Sequence, residues 1–218
     1  MKQYKGKISI LMPAYNEGHH IYENIRETQR IFNEMGCKYE IIVVDDGSKD
    51  NTLAEAKKAA HGHHNIIIKV NRKNYGKGRA LKYGFKFVKG DLTFFLDADL
   101  ELHPGQIQTL YDIMILEEAD VVIGSKRHPD SKLDYPWHRR IVSSVYFFLI
   151  KILFGLPLRD TQTGIKLFKT EVLKKVFPKI LVKRYAYDLE ILVNAHRLHY
   201  KIAEAPVVLK FKGKYGGI

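Results

Sequence analysis

Cysteine is nearly absent from this chain: Cys37 stands alone among 218 residues. A single thiol excludes an internal disulfide framework and a four-cysteine zinc site. Proline and glycine, 7 and 16 residues, are too sparse for collagen-like or low-complexity sequence. A signal-like apolar run at the start is also missing. Ile8–Met12 is far too short for the hydrophobic region of a secretory signal, so a reducing, cytoplasmic setting is expected. Acidic residues are outnumbered, 24 Asp and Glu against 36 Lys and Arg, which gives a formal charge of +12. Such a field attracts polyanions: nucleic acid, anionic lipid or a phosphorylated small molecule. What the chain does have is core material. Hydrophobic residues make up 45% and charged residues 28%, a globular and not a disordered balance.

The first part of the chain alternates short β-branched runs with amphipathic segments. Strands are expected at Ile8–Met12, Tyr39–Val44, Asn65–Val70, Leu92–Leu96 and Asp120–Gly124. Their near-continuous apolar character suits strands buried on both faces of a parallel sheet. Helices are expected at Ile21–Met35, Thr52–Ala60, Gly78–Val88 and Pro104–Glu117, with Pro104 at a first helical position. Strand–helix–strand repetition implies an open α/β sheet with right-handed crossovers, and ligands in such sheets bind beyond the carboxyl ends of the strands. Further on, His128–Arg140 reads as a charged loop. Ile141–Leu158 is strongly apolar, and a second α/β stretch holds a helix at Tyr187–Leu198 and a final strand at Pro206–Phe211. No internal repeat is present.

The strand ends carry the chemistry. Asp97-Ala98-Asp99 offers two carboxylates that can share a hard cation such as Mg²⁺ or Mn²⁺, with Glu101 placed to add a third oxygen. Acids at strand ends also serve as ordinary caps. Asp45-Asp46-Gly47-Ser48 can turn the chain into a capped helix, and a carboxylate there can equally accept from a base imide or a ribose hydroxyl. Gly76-Lys77-Gly78-Arg79 resembles a phosphate cradle at a helix start, but neither the Walker A spacing nor a G-x-G-x-x-G is present. Its glycines also suit a plain hinge. His61-Gly62-His63-His64 and His19-His20 read as solvated loops, and Cys37 as structural. Basic residues are not interleaved with aromatics as in an RNA module, which leaves nucleic acid a minor alternative.

The segment Ile141–Leu158 is too short, and too interrupted by Lys151, Gly155 and Pro157, to span a bilayer. Preceded by Arg139 and Arg140, it reads as an amphipathic element lying in the headgroup region of an anionic membrane; a core helix or a dimer contact are the alternatives.

Four runs occur in order: Pro13-Ala14-Tyr15-Asn16-Glu17, Val44-Asp45-Asp46-Gly47-Ser48, Asp97-Ala98-Asp99 and Asp160-Thr161-Gln162-Thr163-Gly164-Ile165-Lys166-Leu167-Phe168. Over roughly residues 7–210 the chain resembles family 2 glycosyltransferases of the GT-A fold, and within them the dolichyl-phosphate and polyprenyl-phosphate glucose or mannose synthases. The D-T-Q-T-G-x-K-L-F run and Tyr187-Asp188-Leu189-Glu190 favour the glucosyl branch. The resemblance implies one GT-A domain over 1–218, a Rossmann-like open twisted sheet flanked by helices. Its parts are a nucleotide-sugar half (1–127), a membrane-interfacial segment (128–158) and an acceptor-side half (159–218).

It further implies an inverting transfer of a hexosyl group from UDP-glucose or GDP-mannose to polyprenyl phosphate, peripheral at the cytoplasmic face of the membrane. Pro13, Tyr15, Glu17 and Asp45 or Asp46 would frame the nucleotide. Lys77, Lys126 and Arg127 would meet phosphate. Asp97, Asp99 and Glu101 would hold Mg²⁺ or Mn²⁺, and Gln162 and Asp188 would join Asp97 and Asp99 as catalytic residues. Asp188 also suits a helix N-terminal acid opposing the dipole. Where family members often have Gln, this chain has Glu101. Relatives often add transmembrane helices, so Trp137–Leu158 is left to hold the membrane here. A soluble or polysaccharide acceptor, and a non-catalytic nucleotide-sugar-binding module, are the rival readings.

Overall fold

Alternation along the central strands sets the layers. The computed structural model describes residues 4–133, 154–156, 158–182 and 186–209. In β1 (Lys7–Ala14), Ile8, Ile10 and Met12 face one hydrophobic layer while Leu11 faces the other. In β2 (Lys38–Asp45), Ile41 and Val43 join the first layer and Ile42 and Val44 the second. This two-residue period places a sheet between two helical layers.

Helices α1 (Ile21–Met35), α2 (Thr52–Ala60) and α4 (Ile107–Leu116) close the first layer through residues such as Ile25, Phe32, Ala56 and Leu110. Helices α3 (Lys77–Gly84), α5 (Thr170–Val176) and α6 (Tyr187–Arg197) close the second through Leu81, Val172 and Ile191. Helix α1 buries Ile21, Ile25, Thr28 and Phe32, a stripe at helical spacing, and ends at Gly36 with φ 65°, the left-handed cap that glycine takes without strain.

The remaining strands are β3 (Ile66–Val70), β4 (Leu92–Phe95), β5 (Val121–Ser125), β7 (Lys166–Lys169) and β8 (Ile202–Pro206). They complete a seven-stranded sheet in the order β3-β2-β1-β4-β7-β5-β8. A small parallel pair, β6 (Lys132–Leu133) with β9 (Val208–Leu209), lies apart. The expected parallel sheet is thus mixed: β7 runs antiparallel to both β4 and β5. Strand β8 was not expected; of the expected final strand Pro206–Phe211, the described residues show only the short β9. Pro206 ends β8, where an edge strand tolerates a residue with no N–H to donate. Helix α3 starts one residue earlier than expected and ends at Gly84, tightening into a 3₁₀ turn at Phe85–Phe87. A Cβ on Gly84 would lie 2.7 Å from Val44 Cγ2, so glycine permits the close seat of this helix on the sheet.

Most of the expected interfacial segment, including Trp137, Arg139, Arg140, Phe147 and Phe148, lies outside the described residues. At its carboxyl end Leu156 and Leu158 are buried in the second core layer, so those two residues pack inward instead of facing lipid. Among the described residues, no helix is long and apolar enough to cross a membrane.

Candidate active site

Parallel strands β1, β2 and β4 end on the same side of the sheet. Antiparallel β7 begins there, so the loop before it joins theirs. Together with the start of α6 they enclose a cavity of about 730 Å³. Of the residues singled out in the sequence, Pro13, Tyr15, Glu17, Asp46, Lys77, Asp97, Asp99, Gln162 and Asp188 line it. Asp45, Glu101, Lys126 and Arg127 do not.

The loops are zipped together by short polar side chains. Asn16, at φ 56°, accepts from Lys49 N at 2.9 Å, and its own N–H donates to Ser48 Oγ at 3.0 Å. Glu17 N donates to Thr52 Oγ1 at 2.8 Å and Gly18 N to Asp50 Oδ2 at 3.0 Å. The two neighbouring acids divide their work. Asp45 is buried and caps its own turn by accepting from Ser48 N and Oγ. Asp46 turns to the cavity and accepts from Asn71 Nδ2 (2.7 Å), Tyr75 N and Gly76 N (2.7 Å), which ties the glycine loop before α3 to the end of β2. Gly47, at φ 72°, allows this approach: a Cβ there would fall 2.5 Å from the Lys73 backbone.

Lys77, the first residue of α3, forms an ion pair with Asp97. Burial alone would depress its pKa. The carboxylates of Asp97, Asp188 and Asp99 outweigh that and hold it above the ordinary lysine value. The Asp99 carboxyl is raised, first by burial and then by Asp97 and Glu101, against a hydrogen bond from Glu101 N (3.0 Å) and the Lys77 charge. Leu100, between them, is held at φ 48°. Glu101, expected to add a third oxygen, lies outside the cavity lining and pairs its carboxylate with Lys126 Nζ at 3.1 Å. Among the described residues no group of three or more His, Cys, Asp or Glu side chains gathers as a metal site.

The D-T-Q-T-G loop is organised by an acid that the sequence reading left without a role. Asp160 accepts from Lys126 N (3.0 Å), Gln162 N (3.0 Å) and Thr163 Oγ1 (2.6 Å), and so sets Gln162 at the cavity while tying this loop to the end of β5. Arg127 lies in its field. Burial lowers the Arg127 guanidinium pKa and Asp160 opposes that shift. Gly164 sits against Asp97: a Cβ there would lie 2.5 Å from Asp97 Oδ2. Beneath them Lys166 is buried, donating to Thr163 O at 2.5 Å and to Asp188 Oδ1 at 2.6 Å. Tyr187 bonds to Asp188 through its hydroxyl. Burial, then the Asp188 and Asp97 charges, push its pKa well up, so it remains a donor. Tyr187, Asn74 and Lys166 had no assigned role in the sequence reading. A lone lysine inside the apolar Ile165–Phe168 run was the one available signal.

The sequence matches the glycosyl transferase family 2 profile over residues 9–177. The chain belongs to that family. Among curated proteins it is 33% identical to a dolichyl-phosphate beta-glucosyltransferase of Dictyostelium discoideum over 92% of this chain and 65% of that protein. It is 34% identical to the dolichyl-phosphate beta-glucosyltransferase ALG5A of Trichomonas vaginalis, over 92% and 64%. It is 30% identical to glycosyltransferase AglD of Haloferax volcanii, over 95% and 34%. The chain therefore spans under two thirds of the length of these relatives. Among solved structures, glucosyl-3-phosphoglycerate synthase from Mycobacterium tuberculosis, crystallised with Mn²⁺ and uridine diphosphate, superposes with a TM-score of 0.72. It does so at 21% identity, over 94% of this chain and 71% of that one. That likeness establishes the family 2 glycosyltransferase fold, GT-A.

Proposed function

We propose that this chain transfers a hexosyl group, glucosyl in preference to mannosyl, from a nucleoside diphosphate sugar to a polyprenyl phosphate at a membrane surface. The observation that carries the reading is the convergence of Tyr15, Asp46, Lys77, Asp97, Asp99, Gln162 and Asp188 on one cavity at the strand ends. The names of the relatives in Dictyostelium and Trichomonas support the glucosyl donor and the lipid acceptor.

The charge of the cavity supports a divalent cation. Glu17, Asp46, Asp97, Asp99 and Asp188 line it against the ammonium of Lys77. A diphosphate does not enter such a field without added positive charge. Asp97 and Asp99 present hard oxygen donors, the set that Mg²⁺ or Mn²⁺ takes alongside substrate phosphates and water, so these residues fit the ion. When bound, it would supply charge neutralisation at the departing diphosphate.

The chain's own groups do the rest. Tyr15 and Pro13 frame the base, and Asp46 holds the Tyr75–Gly76 backbone so that Lys77 reaches the phosphates. Gln162 orients sugar hydroxyls. Asp188, fixed by Lys166 and Tyr187, bounds the face from which the acceptor approaches. The acceptor brings a phosphate of its own. That phosphate is already ionised at neutral pH, so positioning and charge stabilisation carry the rate and no strong base is required. A single in-line displacement inverts the anomeric carbon and gives a β-linked product.

The test is a screen of nucleotide sugars for thermal stabilisation with and without Mg²⁺ or Mn²⁺, followed by transfer of labelled sugar to polyprenyl phosphate. Metal-dependent stabilisation by UDP-glucose and a labelled lipid product are expected. Stabilisation without any transfer would favour a binding module. Transfer to soluble acceptors alone would remove the lipid from the scheme.

A further inference from the structure

The loop that closes the donor cavity has a second side. Asn74, Gly76 and Lys77 line the cavity, whereas Tyr75, Gly78 and Arg79 line a separate open groove of about 490 Å³ between α3 and the segment after α5. Among the described residues, four cations border this groove, Arg72, Arg79, Lys82 and Lys86, and no Asp or Glu lines it. Its far wall is aliphatic. Leu181 is 81% exposed and Val182 38%, while Val70 on the near side is 43% exposed.

These apolar side chains are held outward by hydrogen bonds. Lys82 Nζ donates to Ile180 O at 3.1 Å. The Glu190 carboxylate, reaching from α6, accepts from Leu181 N at 3.0 Å and Val182 N at 2.8 Å. That acid is thus engaged with backbone, and its charge is spent behind the groove. Tyr75 and Tyr83 add amphipathic rings, with the Arg79 guanidinium 4.5 Å from the Tyr75 centroid and Lys86 Nζ 6.0 Å from that of Tyr83.

We propose that this groove is a face by which the protein rests on an anionic lipid bilayer. A fixed aliphatic ridge beside exposed cations and tyrosines matches an interface where acyl chains meet phosphate headgroups. Exposed apolar side chains gathered in one groove and rimmed by polar groups mark an interaction surface, and the cationic border selects a negative surface over a neutral one. The position gives the contact a purpose: the same loop touches the bilayer on one side and the donor cavity on the other, so a lipid-borne acceptor would reach the cavity without leaving its membrane. That purpose rests on the lipid-acceptor reading; the docking itself does not.

The experiment is co-sedimentation of the full chain with vesicles of phosphatidylcholine alone or with about 30% phosphatidylserine. Two variants, Arg72→Glu/Lys86→Glu and Leu181→Asp, are compared with the parent, each checked for folding by circular dichroism and for nucleotide-sugar stabilisation. The parent is expected to partition onto the anionic vesicles with a salt-dependent affinity, and each variant to do so about tenfold more weakly. Donor stabilisation should be unchanged in both. Equal binding of parent and variants, or equal binding to neutral and anionic vesicles, overturns the proposal. So does a concentration-dependent dimer that Leu181→Asp abolishes while vesicle binding persists; the groove would then join two copies of the chain. Failure of donor stabilisation in every protein, with vesicle binding intact, would strike the transferase reading and leave the docking face standing.

Discussion

Lys166 Nζ lies 2.6 Å from Asp188 Oδ1, and the two side chains are only 2% and 8% exposed. The lysine comes from the one antiparallel strand in the run β4-β7-β5 and the acid from the first turn of α6, so the pair joins the Gln162 loop to the helix across the cavity floor. A buried pair of this kind is weak support for stability as a whole, but removing one partner strands the other. Lys166→Met is expected to lower unfolding free energy by about 3–5 kcal/mol in urea titration. The double variant Lys166→Met/Asp188→Leu should recover most of that loss. A single variant as stable as the parent would show that Asp188 does not depend on its lysine.

Gly164 is predicted to matter for binding more than for folding. The added methyl of Gly164→Ala meets the end of the Asp97 side chain, which can rotate away, so the cost in stability should be about 1 kcal/mol or less. Displacing Asp97 from Lys77 should cost at least tenfold in donor affinity, about 1.4 kcal/mol. Thermal shift titration with nucleotide sugar reads both quantities. A large drop in melting temperature with unchanged affinity would contradict this.

Asp99 illustrates a conflict between stability and chemistry. Burial and the neighbouring carboxylates raise its pKa, so its charge at neutral pH is held at a cost to the fold. Asp99→Asn should melt at or above the parent temperature without ligand, while losing metal-dependent stabilisation by the donor. Retention of that stabilisation would remove Asp99 from the proposed cation site.

Glu27 gives a pH signature on the opposite layer. Its hydrogen bond to Arg30, opposed by partial burial and helped by His103, lowers its pKa from 4.5 to about 2. Because the folded value is the lower one, the contribution to stability is present above pH about 4.5 and fades as pH falls toward about 2. The carboxylate is one-third exposed, so solvent screening limits the effect to less than about 1 kcal/mol. Glu27→Gln should melt up to about 2–4 °C lower at pH 7, with the gap closing by pH 2.5. A pH-independent gap would point to packing instead.

The parts of the fold legible in the sequence are those built from long, strongly periodic segments. Helix α1 covers the span its apolar stripe indicated, Ile21–Met35, and β1, β2, β4 and β5 fall within two residues of their apolar runs. Strand β7 was not legible, because four residues beginning with a lysine carry no readable period. Its lysine is buried only because Asp188, distant in sequence, meets it there. The carboxylates of the cavity were readable from their positions at strand ends. The division of labour between Asp45 and Asp46, and the pairing of Glu101 with Lys126, were not, since each depends on which way a side chain turns once the loops are assembled.

The reversed direction of β7 has a consequence for how such a protein changes over time. Because that strand enters the sheet from the cavity side, the chain leaves β5 at Ser125 and starts β7 at Lys166 on the same side of the sheet. Apart from β6, which pairs with β9, and the Asp160–Gly164 loop at the cavity, the length and content of the stretch between them can be exchanged without shifting the pairing of the seven-stranded sheet. The scaffold that grips the nucleotide can therefore stay constant while the intervening stretch is rewritten, which makes partner choice the cheapest property of this architecture to alter.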